Sequence, residues 1–160
     1  MTRADKLYEK LKPEISMVAE KLFDISEALI RKNGNFFAHA AVLTESGTIE
    51  LVAAAPPDSD DDETIATEVL SLLHDGLRHQ AKVDPIKAIG VAESVIVTQE
   101  GQRPTNAIKV LFEHKRGLTV ALYLPFEEKF LRGFVFGSSF CVHAAPEVKA
   151  WSTNDANVLH

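Results

Sequence analysis

Seven apolar side chains, Tyr8, Leu11, Ile15, Val18, Leu22, Ile25 and Leu29, recur in alternating steps of three and four. Steps of that size align side chains on one stripe of an α-helix, and a stripe of this kind is a packing surface. The spacing predicts a helix over Ala4–Lys32. Pro13 lies off the stripe, where a kink or a second helix start leaves the seam undisturbed. Asn33-Gly34 is the expected stop, because both residues tolerate a left-handed backbone.

The residues that follow change period. Phe36–Leu43 is apolar on both faces, and Thr48–Ala55 alternates Ile49, Leu51 and Ala53 with Glu50 and Val52. The link Thr44-Glu45-Ser46-Gly47 has hairpin length. Pro56-Pro57 ends the strand, and a second helix is expected to about Ala81, with Ile65, Val69, Leu72, Leu73 and Leu77 on its buried side. Further strands are expected over Ile86–Thr98, Ala107–Glu113, Leu118–Leu124 and Phe134–His143. Pro125–Arg132 is expected to make one helical turn, since Phe126 and Phe130 lie four apart. Strands joined by tight turns imply a mainly antiparallel sheet. The expected fold is therefore α+β, two-layered, with five to six strands and two long helices on one face, in the order α-β-β-α-β-β-β. Residues 1–150 are expected to form one domain and 151–160 a polar tail. This order of elements resembles that of the roadblock and longin-type scaffolds, a resemblance that implies a small adaptor domain of a kind that often pairs.

Composition narrows the function classes. Among 160 residues the formal net charge is −6, which argues against a nucleic-acid surface built of clustered Lys and Arg and lends nothing to an anionic membrane. The single cysteine, Cys141, permits no intrachain disulfide and fits a reducing compartment. The first residues lead into an amphipathic helix instead of an apolar core, so no signal peptide is expected and the location is taken as cytoplasmic.

No motif for chemistry matches the seam in clarity. Asp58, Asp60 and Asp62 alternate as in a calcium loop, but Glu63 stands where that loop needs glycine and Val69 where it needs a bidentate Glu. The run is better read as the second helix's N-terminus, with Asp60 as cap and Glu63 completing a capping box. Neither a metal nor a cofactor is expected. Ser139, Cys141 and His143 alternate along the last strand, and residues two apart are ~6.5–7 Å distant, beyond direct nucleophile–base contact. Free cysteine is usually a small hydrophobe. His39 and His114 are candidate binding groups, either of which would complete a site with Cys141 and His143 if the fold brought it there; His74 and His79, five apart on a helix, do not face one ligand. Glu93 interrupts an apolar strand and is the first choice for a functional carboxylate, with Arg103, Lys109 and Arg132 as its possible partners.

The strongest functional signal is surface that two layers cannot cover. Phe36, Ala38, Ala40 and Val42 fall on the second face of the first strand, and Phe23 and Ile30 lie off the helical seam. These residues are the expected contact surface of a homodimer. The leading expectation is a non-catalytic protein-association domain, an adaptor or an immunity-type protein. The alternative is a small enzyme or ligand-binding protein whose pocket lies on the second sheet face, lined by His39, Glu93, His114, Cys141 and His143. Convergence of three of these favours the alternative; scatter favours association.

Overall fold

The computed structural model describes residues 1–151. Helix α1 is a single rod, Arg3–Asn33. Thr2 and Asp5 cap it reciprocally, Pro13 is accommodated on the exposed side, and Gly34 closes it in the left-handed conformation at φ 84°. The buried line follows the predicted seam as far as Leu22 and then moves to Ser26 and Ile30, leaving Ile25 and Leu29 half-buried. A 3.5-residue repeat drifts around a helix of 3.6 residues per turn, and a straight helix on a sheet does not supercoil to follow it.

Strands β1 (His39–Thr44), β2 (Ile49–Val52), β3 (Ile86–Val97), β4 (Thr105–His114), β5 (Thr119–Lys129), β6 (Gly133–Phe136) and β7 (Phe140–His143) form one sheet. Its order is β2-β1-β3-β4-β5-β6, with β7 also on β5. Every described pairing is antiparallel. The class is α+β, as the order of elements predicts, with seven strands in place of five or six. Pro125–Arg132 does not turn into a helix: β5 runs on through Phe126 to Lys129 and pairs with β6. The expected last strand is divided, since Gly137-Ser138-Ser139 separates β6 from β7.

The helices divide the two sheet faces between them, where the sequence reading places both on one. Alternate residues of the central strands face opposite ways. Ala41, Leu43, Ala88, Ala92, Ile108, Val110 and Phe112 pack with α1. Ala40, Val42, Ile86, Ile89 and Val91 pack with α2 (Asp62–Val83) through Val69, Leu73 and Leu77. The doubly apolar first strand is thus explained within the chain. It corrects the expected interface: Ala40 and Val42 lie under α2, Ala38 packs beside them, and Phe23, Ile30 and Phe36 pack in the α1 core. Phe23, Ile30, Ala40 and Val42 are buried and present no contact surface, while Phe36 and Ala38 stay half-buried.

Beyond α2 the second face is crossed by residues 144–151. Val148 is fully buried there, with Ala150 and Trp151 against the same cluster. The remainder of the expected tail lies outside the described residues. No helix among the described residues is long and apolar enough to cross a membrane.

Candidate functional site

Three regions are candidates for function, two polar and one apolar, and they do not meet. The first lies where the N-terminal turns of α1 cross β7, around a cavity of about 400 Å³. His143 Nε2 is 3.2 Å from Asp5 Oδ1, and its ring stands edge-on to Tyr8 at 6.0 Å between centroids. Asp5 also accepts hydrogen bonds from the backbone N–H and hydroxyl of Thr2, which together with His143 hold its carboxyl below the usual range. Cys141 is half-buried and lines this cavity beside Tyr8. Burial pushes the thiol up, and Tyr8 only partly offsets this. Tyr8 is raised in turn, by burial first and then by Cys141. A thiol held protonated is the opposite of an activated nucleophile, and His143 is engaged by Asp5. Ser139 is exposed outside β7.

The second region is the α2 face of β3 and β4. Glu93 is opposite Lys109 in the register. Burial raises its carboxyl, while Lys109 pulls it back down. Of the three cations expected beside Glu93, Lys109 is the one in place, although its ammonium is 2.5 Å from Glu147. Four residues along β4 from Lys109, on the same face, is Glu113, which the sequence reading passes over. Only 3% exposed, its carboxylate accepts hydrogen bonds from four consecutive backbone amides. Glu147 N and Val148 N lie 2.9 and 2.8 Å from Oε2, and Lys149 N and Ala150 N lie 2.9 and 3.4 Å from Oε1. Arg78 of α2 donates to the carbonyl of Val148 at 3.0 Å. Parity with Lys109 and Leu111 places Glu113 on a covered face; the segment that covers it, Ala144–Ala150, has no period to announce itself.

The other histidines stand apart. His39 Nε2 is 3.0 Å from Ser26 Oγ under α1, its ring edge-on to Phe36, and burial lowers its pKa. His114 accepts the Arg116 N–H at Nδ1, so Nε2 carries the proton towards Glu14 at 3.1 Å. Burial lowers it too, with Glu14 opposing. Of the five residues expected to line one pocket, only Cys141 and His143 share one, and they share it on the α1 side. No group of three or more His, Cys, Asp or Glu among the described residues is placed to hold a metal ion. At the acidic run the N-cap position falls to Asp61, one residue later than expected, and the expected capping box with Glu63 is not formed: the Asp61 side chain caps no backbone N–H and instead accepts from the Thr64 hydroxyl, 2.5 Å from Oδ2.

The third region is apolar. Pairing of β4 with β5 ends at Asn106–Phe126, whereas β5 and β6 stay paired to Lys129–Gly133. Residues 127–135 therefore extend past β4 as a two-stranded arm, its stem held to α1 by Phe134, whose ring packs in the α1 core and whose carbonyl accepts from Arg31 at 3.4 Å. Phe130 and Leu131 at its tip are 90% and 89% exposed, and Leu131 holds a left-handed φ of 62°. An L-residue other than Asn or Asp seldom adopts that conformation, which costs ~1–2 kcal/mol. At the same end of the sheet, where α1 ends and α2 begins, lies a cavity of about 660 Å³ lined by Leu29, Phe36, Phe37, Ala66, Asp62 and Glu63, among others.

Compared with known proteins, the chain matches no family model, no curated protein and no solved structure.

Proposed function

We propose that this chain is a non-catalytic protein-association domain that pairs with itself through the β5–β6 arm. The observation that carries the reading is the arm tip: two adjacent large apolar side chains, about nine-tenths exposed, at the turn of a ribbon whose stem rests on the end of α1 through Phe134 and Phe136. A two-stranded ribbon alone is marginal in water. Each large apolar side chain taken out of water is worth ~1.5–3 kcal/mol, so a contact at this tip stabilises the arm and the complex together. The scatter of His39, Glu93 and His114 away from the Cys141–His143 cavity supports association over catalysis. Binding of nucleic acid finds no support in a chain of net charge −6.

Sedimentation of the wild type and of Phe130→Ser/Leu131→Ser tests the reading. The wild type is expected to sediment as a dimer at micromolar concentration. The variant is expected as a 17.6 kDa monomer that remains folded, since neither side chain packs in the core. A monomeric wild type, or a variant that pairs as well as the wild type, refutes it.

A second reading, a small-ligand site, draws on the grouping of Asp5, Tyr8, Cys141 and His143 around one cavity. The raised thiol sets that cavity towards binding and away from covalent chemistry at neutral pH.

A further inference from the structure

We infer that the arm tip of one copy seats in the apolar cavity between the end of α1 and the start of α2 of a second copy, and that the contact is reciprocal. This rests on the association reading and names the surface that receives the arm. The two surfaces are complementary in chemistry. The tip reads Lys129-Phe130-Leu131-Arg132, an apolar pair flanked by two cations. The cavity has an apolar floor of Leu29, Phe36, Phe37 and Ala66, with the carboxylates of Asp62 and Glu63 on its rim.

Both rim carboxylates belong to exposed residues and make no side-chain ion pair within the described chain. Arg132 likewise has no side-chain partner among the described residues, while Lys129 is held 3.1 Å from Glu127 on the arm's stem. Phe37, on the cavity floor, is 42% exposed although it is a large aromatic residue. At about 660 Å³ the cavity falls within the range of sites that enclose an organic group.

Position makes the contact self-closing. Ser94, which also lines the cavity, stands opposite Ile108, and Ile108 opposite Leu124, a few residues before the arm extends past β4. Arm and cavity thus share one end of the sheet, separated laterally by two strand spacings of ~5 Å each. A twofold axis through that end sends each arm into the other copy's cavity, giving a closed dimer instead of a filament.

Charge reversal tests the seat. Lys129→Glu/Arg132→Glu makes the tip acidic; Asp62→Lys/Glu63→Lys makes the rim basic. Each variant alone is expected to lose dimerisation, because like charges then face each other. An equimolar mixture is expected to regain it. In the mixture the acidic tip meets the basic rim, and the unchanged basic tip meets the unchanged acidic rim. A mixture that stays monomeric, or a rim variant that dimerises like the wild type, overturns the seat. If Phe130→Ser/Leu131→Ser still abolishes pairing in that case, the arm reading survives and only the seat is lost. As a readout that does not depend on charge variants folding, a photoreactive aromatic residue introduced at position 131 is expected to cross-link to residues 29–37 or 62–66 of the other copy. Cross-links confined to other segments overturn the inference.

Discussion

A carboxylate at the end of a buried strand is costly unless each oxygen finds donors. Glu113 finds four, all backbone amides of one short segment, and so it fixes a stretch of chain that has no secondary structure of its own. Removing the acceptor leaves those amides buried without partners. Glu113→Ala is expected to lower stability by about 3 kcal/mol, the order associated with losing charged hydrogen bonds in a buried setting. Denaturant titration measures it, and Trp151, the only tryptophan, reports locally. Its emission is expected to shift to longer wavelength under native conditions as it leaves the cluster around Val148. Glu113→Gln is expected to fall between, since an amide offers one acceptor oxygen and turns an NH2 towards the backbone donors. Unchanged stability in Glu113→Ala would remove the latch argument. None of this was legible beforehand: Glu93 drew attention because it interrupts an apolar run, whereas Glu113 precedes the polar turn His114-Lys115-Arg116-Gly117 and looks like its edge.

The elements themselves were more legible than their arrangement. The seam of α1, its glycine stop and the β1–β2 hairpin all follow from local spacing and turn chemistry, and the structure has them. Side assignment does not follow from local pattern. The doubly apolar β1 did announce that both its faces are covered; it could not say whether the cover is another copy or the chain's own α2. Phe126 and Phe130 mimic a helical pair because a spacing of four also fits an even step along a strand. Gly90 of β3 lets α1 pack close against the sheet. A Cβ there would lie 2.5 Å from Val18 Cγ1 and 2.9 Å from Leu22 Cδ1. Valine is stiff at χ1 and both side chains are fully buried, so neither yields easily. Gly90→Ala is expected to destabilise by about 1–3 kcal/mol through overpacking. Its pairing partners, Ala41 and Phe112, keep the register, so a denaturation midpoint that falls with an unchanged slope is the expected signature. An unchanged midpoint would show that α1 moves away freely.

Across the whole molecule, three histidines link folding to pH. His39, His74 and His114 all fall below their ordinary 6.5, with burial the largest cause in each. They stand under α1, on α2 and at the end of β4, so their effects reach both layers of the fold. In the unfolded chain each takes up its proton near 6.5; in the folded chain uptake waits for a lower pH. Their contribution is fully present above that value and is lost as pH falls through 6.5 towards the folded values. The melting temperature is expected to drop between pH 7.5 and pH 5. The drop is expected to shrink in His39→Gln, whose only resolved influence is burial. A flat profile in the wild type would contradict the linkage.

The strap held by Glu113 also bears on the order in which the molecule is made. Ala144–Ala150 follows all seven strands in the chain, and chains emerge from the ribosome N-terminus first. For a time during synthesis, then, the hairpins can be complete while Leu111, Ala121 and the Glu113 carboxylate face solvent. In that interval the part of the face that α2 does not cover carries an unpaired carboxylate, which the last residues of the strap then take up.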